Sequence, residues 1–252
     1  MSAQAATQAE TPDLPPSYSE AASASPDPAN ETLEPIILVL AGQTIHAETA
    51  STAPLYHLDR GIESLSRATF KVTLERVERA VRTSPENEPS LRDYRRHVYT
   101  LEQTWTTPLY TLPSSCPRFF ARAVSRRALG HVGLKKAGLL RSAVKALPVD
   151  VAGRGNELGV PGFVRDARPL FELRRKDGRW EWAGRDGGAV AVEDDGEGTH
   201  RLIVTAPLLR ETLDALVALW CCRLWESSAE RAEDLPQGMD GGESTLCLII
   251  RE

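Results

Sequence analysis

The stretch that decides the fold lies near the C-terminus, at residues 207–225, where the chain reads PLLRETLDALVALWCCRLW. Pro207 suits the first turn of a helix, because the N–H that proline lacks has no partner there. Every residue from Ala215 to Cys222 is apolar. A helix that is apolar on all sides has to be buried on all sides. About 20 apolar residues are needed to cross a bilayer, so this run is too short to do so. We therefore expect a helix near 207–227 that is enclosed by the rest of the fold.

The residues that precede this helix predict a series of β-strands. Ile36 to Leu40 is a short apolar run of the kind that buried strands show, and Val72 and Leu74 alternate with polar residues. The region from Pro169 to Thr205 predicts a four-stranded meander. Its turns are marked by Asp177-Gly178, Asp186-Gly187-Gly188 and Asp194-Asp195-Gly196.

Polar segments predict where the strands are interrupted. Ser84 to Arg92 is polar and contains prolines, so we expect a loop there. Glu226 to Gly242 is acidic and contains glycines, which predicts a second loop after the helix. Thr245 to Ile250 has the composition of a last strand.

One five-residue pattern occurs three times, and each copy has a proline, an aromatic residue and two leucines. The aromatic residue and the second leucine are two residues apart, which places them on one face of a strand. Proline is tolerated at the first residue of a strand. The pattern indicates a repeated β unit that closes into a barrel or sandwich. The copies are Pro54–Leu58, Pro108–Leu112 and Pro169–Leu173.

Together these features predict a mostly β (α+β) fold, in which a multi-stranded antiparallel barrel-like sheet surrounds one buried C-terminal helix. This architecture resembles the tubby C-terminal-like superfamily, which includes the LURP-one-related proteins and the phospholipid scramblases. The pentads and Leu208 to Trp225 carry the resemblance, which covers most of Pro35 to Trp225. It transfers no binding residues, because no residue-specific motif of the superfamily is present. The chain is also similar to fungal proteins with a Pro-Pro-x-Tyr tail, which implies no activity.

The first 34 residues predict a disordered tail rich in proline, serine and alanine, because they hold few large aliphatic side chains. Within this tail, Pro15, Pro16 and Tyr18 form a Pro-Pro-x-Tyr motif. Such a segment enters a polyproline helix at little entropic cost, and WW domains bind that shape in an aromatic-lined groove. We therefore expect a WW-domain partner, such as a ubiquitin ligase. The alternative is a chance match in a proline-rich tail.

Composition favours a single β-rich domain over residues 35–252. The 252-residue chain has a formal net charge of −5, which argues against bulk affinity for nucleic acid. Its start lacks the basic and apolar regions of a signal peptide. None of the four cysteines forms a C-x-x-C pair, which fits a reducing compartment. We expect a cytoplasmic location, with a peripheral membrane association as one form of it.

A basic span interrupts this acidic composition, because no acidic residue occurs between Gln103 and Val149. A focused positive field suits an anionic ligand such as a phospholipid surface. The alternative is a solvated strand face that is paired with acidic loops elsewhere. Phe119 and Phe120 within the span suit either membrane insertion or core packing. The basic residues are Arg118, Arg122, Arg126, Arg127, Lys135, Lys136, Arg141 and Lys145.

No catalytic, metal-binding or cofactor-binding motif stands out. The chain has no G-x-S-x-G elbow and no phosphate-binding loop, and its five histidines are scattered. Cys116 has basic neighbours, but a nucleophile also requires a base within reach. We expect a non-enzymatic adaptor whose tail recruits the WW-domain protein and whose β domain binds anionic phospholipid or protein. The alternative is a small-molecule or lipid carrier, or a weak enzyme, which would require a pocket in the β domain.

Overall fold

The computed structural model describes residues 31–49, 53–65, 69–83, 89–104, 112–137, 143–153 and 159–234. Within these ranges the chain forms fifteen β-strands and one α-helix. The strands are β1 (Thr32–Leu33), β2 (Ile36–Ala41), β3 (Thr44–Ala47), β4 (Pro54–Leu58), β5 (Lys71–Thr83), β6 (Pro89–Gln103), β7 (Phe119–Ala123), β8 (Val132–Ala137), β9 (Ala143–Asp150), β10 (Gly162–Phe163), β11 (Phe171–Lys176), β12 (Arg179–Ala183), β13 (Ala189–Asp194), β14 (His200–Val204) and β15 (Leu208–Leu209), and the helix is α1 (Arg210–Asp234).

Twelve strands form an antiparallel sheet that closes on itself. Their order is β9, β11, β12, β13, β14, β2, β3, β4, β5, β6, β7 and β8, and β8 then pairs with β9. In the closing pair, Val132 lies opposite Pro148 and Ala137 lies opposite Ala143. The short β10 pairs with the end of β9. The mostly β, barrel-like architecture predicted from the sequence is therefore confirmed.

The meander expected between Pro169 and Thr205 is also confirmed, since β11 to β14 occupy that region. Its first hairpin turn contains Asp177 at φ 50° and Gly178 at φ 82°. Positive φ at both central residues gives a turn whose twist matches that of the flanking strands. This match explains why β11 and β12 pair in register from Glu172–Ala183 to Lys176–Arg179.

Helix α1 fills the interior of the barrel. A closed sheet of eight strands can be filled by side chains alone, whereas a larger barrel encloses space. All ten residues from Leu213 to Cys222 are buried. Ten consecutive positions cover every face of a helix, so the sheet surrounds α1 over this length. The burial expected of the apolar run is confirmed, because Leu216, Leu219 and Trp220 are each 0% exposed.

The two boundaries of the helix differ from those expected. The helix begins at Arg210 and not at Pro207, because Leu208 and Leu209 pair as β15 with the two residues of β1. Those two residues, Thr32 and Leu33, belong to the stretch that the sequence assigns to the tail. The loop predicted to begin at Glu226 is wrong for residues 226–234, because α1 continues to Asp234. The remainder of that loop and the strand expected at 245–250 lie outside the described residues.

Two of the three pentads form strands with the expected buried face. Pro54–Leu58 is β4, and Pro169–Leu173 leads into β11. Tyr56 and Leu58 in the first of these pentads are buried, as are Phe171 and Leu173 in the other. The copy at Pro108–Leu112 lies, except for its last residue, outside the described residues.

Strands β5 and β6 extend beyond the barrel as a two-stranded ribbon. β4 pairs with β5 only from Leu74 to Arg76, and β7 pairs with β6 only from Tyr99 to Gln103. Residues 77–83 of β5 pair with residues 89–95 of β6, and residues 96 and 97 pair with residues 76 and 75. Among the described residues, no other strand pairs with 77–83 or with 89–97. We call these residues the β5–β6 arm. The loop expected over Ser84 to Arg92 is wrong at Pro89 to Arg92, which belong to β6.

The arm and the start of α1 lie at the same end of the barrel. Arg76 in β5 binds Asp214, close to the start of the helix, whereas Lys71 is paired with Glu102 near the β7 strand. The β7 ring of Phe119 packs on Trp225, 5.0 Å away near the helix C-terminus. β5 thus runs opposite to α1, and its continuation past Arg76 leads beyond the helix start. We call this end of the barrel the arm end.

Candidate functional site

The Pro-Pro-x-Tyr motif of Pro15, Pro16 and Tyr18 lies outside the described residues. The chain enters the described fold at Glu31, which is bound to the start of α1. The backbone N–H of Arg210 donates to the Glu31 carbonyl at 2.8 Å, and Arg210 Nε donates to Glu31 Oε2 at 2.8 Å. Glu31, the first described residue, is therefore bound at the arm end of the barrel.

The structure places the described part of the basic span on three neighbouring strands of the barrel. Arg118 precedes β7, Arg122 lies in β7, and Arg126 and Arg127 lie in the turn that follows it. Lys135 and Lys136 lie in β8, and Lys145 lies in β9. Lys135 is directly opposite Lys145 in the β8–β9 ladder. Arg141 falls outside the described residues.

Acidic residues from outside the span bind three of these basic residues. Arg122 donates to Glu102 from Nε at 2.8 Å and from Nη2 at 3.1 Å. Lys145 Nζ lies 3.6 Å from Glu172 Oε1. Lys136 Nζ lies 3.2 Å from Glu226 Oε1 and 2.5 Å from Glu230 Oε1. The positive field at these three positions is therefore locally compensated. For Lys136 the compensating acids, Glu226 and Glu230, belong to the segment for which the sequence predicted an acidic loop.

The contacts of Lys136 also explain why α1 continues past Trp225. Glu226 and Glu230 are four residues apart, so they lie on one face of the helix, and both reach the same ammonium group. Burial of the Glu226 carboxyl raises its pKa, although the Lys136 charge opposes that shift. Burial acts to lower the pKa of Lys136, but the hydrogen bond to Glu230 and the charge of Glu226 outweigh it and raise that pKa. Lys136 thus fastens the end of the helix to β8.

The other described basic residues leave more of their charge at the surface. Arg126 and Arg127 are exposed in the turn between β7 and β8. Lys135 Nζ lies 5.7 Å from the centre of the Phe163 ring, and the Arg118 guanidinium lies 5.6 Å from that of Phe119. Both are cation–π contacts, in which the positive group lies over the face of an aromatic ring.

Phe119 and Phe120 are core residues. Their exposed fractions are 2% and 1%, and Phe119 packs against Trp225 inside the barrel. Of the two roles considered from the sequence, core packing is therefore the one observed. Membrane contact by this span would rely on charge.

A buried polar cluster fixes the first half of α1 to the barrel wall. Asp214 Oδ1 accepts a hydrogen bond from Tyr56 OH at 2.8 Å, and Asp214 Oδ2 accepts one from Arg76 Nη1 at 2.5 Å. Arg76 also binds Glu78, which accepts a hydrogen bond from Tyr94 on the arm. Burial raises the pKa of Asp214, and the Arg76 charge opposes this shift. A line of polar contacts thus joins the arm to the core helix.

A second cluster fixes the other half of the helix. Glu193 Oε1 accepts hydrogen bonds from Trp182 Nε1 at 2.8 Å and from Arg223 Nε at 2.6 Å. Burial raises the pKa of Glu193 to about 7, with the Arg223 charge acting in the opposite direction. The net contribution of a buried ion pair to stability is small, because both charges lose their hydration. A shift of the helix would separate Arg223 from Glu193 and leave a buried charge without a partner, so the cluster fixes the position of the helix.

A surface cavity of about 640 Å³ lies beside the second half of α1. Its size is that of many ligand pockets, which are mostly apolar. Most of the residues that line this cavity are polar or charged. His200 occupies one side, with Nδ1 at 2.9 Å from Asp195 and Nε2 at 3.2 Å from Glu63. The other lining residues are Gly198, Arg223, Leu224, Ser227, Ser228 and Arg231.

The described cysteines have the environment of core residues. Cys116, Cys221 and Cys222 are free and buried, and burial raises the pKa of the Cys221 thiol to about 12. A thiol with a raised pKa is a poor nucleophile. Among the described residues, no set of three histidine, cysteine, aspartate or glutamate side chains is placed to hold a metal ion.

Sequence reasoning missed the arm and both buried clusters. Asp214 gave a usable signal, because an acid within an otherwise apolar helix requires a buried partner. Glu193 gave none, because it directly precedes the Asp194-Asp195-Gly196 turn, where an acidic residue does not require a buried partner. The arm was hidden because its distal residues are polar and contain Pro89, as a surface loop would.

No family model, no curated protein and no solved structure matches this chain. Within the ranges that the structure describes, no helix has the length and apolar character required to span a membrane.

Proposed function

We propose that this chain is a non-enzymatic adaptor. Its tail presents Pro15, Pro16 and Tyr18 to a WW-domain protein such as a ubiquitin ligase, while its barrel binds a second target at its outer surface. The second target is an anionic phospholipid surface or a protein. This function places the chain in the cytoplasm and at the periphery of a membrane.

The observation that carries this proposal is that α1 occupies the barrel interior. A carrier or enzyme with an internal site requires space inside the barrel, and ten consecutive helix residues are buried there instead. The cavity beside Asp195 and His200 is at the surface, and most of the residues that line it are polar or charged. Binding at the outer surface is the function that such a filled barrel supports best.

The architecture supports the resemblance to the tubby C-terminal-like superfamily. A closed twelve-strand barrel with one C-terminal helix is consistent with that fold. The resemblance remains one of architecture, so no residue takes a role from it. The lipid-binding part of the proposal rests on Arg126 and Arg127, which are exposed, and on Lys135, which is half-buried.

The tail is tested by titrating an isolated WW domain into the full chain and into the Tyr18→Ala variant. We expect Tyr18→Ala to weaken binding at least about tenfold, because the variant loses an aromatic anchor. The matched control is Ser17→Ala, which changes the variable position of the motif. The melting temperature should not change in either variant. Equal binding by wild type and Tyr18→Ala would remove the WW partner from the proposal.

The lipid surface is tested by co-sedimentation with vesicles that contain phosphatidylserine. The informative variant reverses Arg126, Arg127 and Lys135 to glutamate and leaves Lys136 in place, because Lys136 holds the end of the helix. Reversing Arg165, Arg168 and Arg175, which are exposed elsewhere, gives a control of equal net charge. We expect the variant with Arg126, Arg127 and Lys135 reversed to lose binding and the control variant to keep it. Binding of the wild type should weaken as added salt shortens the screening length from ~30 Å to ~8 Å. Equal binding by both variants would argue against a lipid site here.

A further inference from the structure

The β5–β6 arm carries strand edges that the closed barrel lacks. Closure pairs every barrel strand on both sides, which removes its edges. Beyond Tyr99, where pairing with β7 stops, the outer edge of β6 continues along the arm through His97 to Pro89. Backbone groups on such an edge are available to pair with another extended chain.

The side chains along this edge favour an acidic occupant. Between Ser90 and His97, β6 carries three arginines and one acid, Asp93. Asp93 is held by Arg79 of β5, whose Nε lies 3.2 Å from its carboxylate. Arg92 is exposed and has no ion-pair partner among the described residues. The other arginines, Arg95 and Arg96, contact Glu75 and Glu78 of β5.

The arm also exposes side chains of the type that dominate binding energy in protein interfaces. Leu91 is 64% exposed and Tyr94 is 43% exposed. Arg92, Tyr94 and Arg96 alternate along β6 and so share one face of the ribbon. Tyrosine and arginine are enriched among interface residues with large contributions.

We propose that the outer edge of β6 in the arm is a docking site for an extended acidic segment of a partner protein. The segment adds as a strand beside residues 90–97, in line with β7. Its acidic residues occupy every second position, so that one of them lies across from Arg92. The arm shares no residue with the tail motif or with the basic span. The proposal for this site therefore does not depend on the WW-domain and lipid interactions.

The test uses a fluorescein-labelled twelve-residue peptide in which Glu and Thr alternate, titrated into the full chain and followed by anisotropy. The variant is Arg92→Glu, which breaks no ion pair among the described residues, and the control is Arg175→Glu, an exposed arginine in β11. We expect Arg92→Glu to weaken binding at least about tenfold and Arg175→Glu to leave it unchanged. If Arg92→Glu does not fold, Arg92→Gln replaces it. The affinity for the peptide should then fall by about half as much on a logarithmic scale.

Two further peptides separate strand addition from charge attraction. One carries proline at two threonine positions, so that it cannot pair as a strand, and the other has Lys in place of Glu. Both should bind at least about tenfold more weakly than the first peptide. Hydrogen exchange of residues 90–97 should slow when the Glu-Thr peptide is bound.

The proposal is overturned if the proline peptide binds as well as its parent, if Arg92→Glu has no effect, or if no peptide binds. It is also overturned if sedimentation shows that two copies of the chain associate and protect the β6 edge without peptide, since the occupant is then a second copy.

Discussion

Replacing Leu216 with alanine tests whether the barrel encloses its helix. Leu216 is 0% exposed, and so are its neighbours on every side of the helix from Ala215 to Cys222. A Leu→Ala change in a core costs about 2–5 kcal/mol, the lower values applying where the surroundings collapse into the space. Here α1 is surrounded by a closed sheet and is fastened through Asp214 and Arg223, so little collapse is available. We therefore expect the upper half of that range, about 3–5 kcal/mol.

The assay is equilibrium unfolding in urea, with Leu209→Ala as the control. Leu209 lies just before the helix and is 41% exposed, so its replacement should cost less than about 1 kcal/mol. The midpoint for Leu216→Ala should fall well below that of the control at an unchanged slope. Leu219→Asp should be largely insoluble, because a buried carboxylate without a partner is costlier than a cavity. If Leu216→Ala and Leu209→Ala unfold at the same midpoint, the helix is not enclosed and the reasoning fails.

Three other changes test the described contacts. Burial raises the pKa of Glu193 to about 7, so the native state binds this proton more tightly than the unfolded state does. The stability that this proton contributes is complete below about pH 4.5 and is lost as the pH rises through 7. The free energy of unfolding should therefore fall by about 2–3 kcal/mol between pH 5 and 8. In urea titrations, Glu193→Gln should make the free energy of unfolding less dependent on pH over this range. Gly153→Ala should lower the melting temperature more than Gly159→Ala: both positions have positive φ, but only at Gly153 would the new Cβ lie 2.5 Å from a backbone atom. Lys136→Met should speed hydrogen exchange after Glu226 at the end of α1 and leave exchange at Asp214 unchanged.

The repeating patterns in the sequence predicted most of the barrel, because each reflects burial on one face. The apolar run from Ala215 to Cys222 predicted a helix inside a sheet, and the pentads at Pro54 and Pro169 predicted strands whose aromatic residue and second leucine face inward. The turn at Asp177-Gly178 fixed the register of a hairpin. In each case the local sequence and the tertiary environment favour the same structure.

Features that depend on distant partners could not be predicted in this way. The last turns of α1 are polar and resemble a loop until Lys136, about 90 residues earlier in the chain, is placed beside them. Neither the compensation of Arg122 by Glu102 nor the position of the arm beyond the barrel is visible in a local pattern. The same holds for the candidate site: the sequence identified the basic residues, but only the structure shows that Arg122, Lys136 and Lys145 are held in ion pairs.

The enclosed helix also sets the order in which the protein can acquire its structure during synthesis. All fifteen strands precede Arg210 in the chain, so the ribosome completes the wall of the barrel before it makes the element that fills it. Until residues 213–225 emerge, the inward side chains of the strands lack their main partner, and the nascent chain is a sheet with an exposed apolar face. A truncation that removes residues 213–225 would therefore act as a folding defect of the whole domain, and chaperones would have to protect the strands for most of translation.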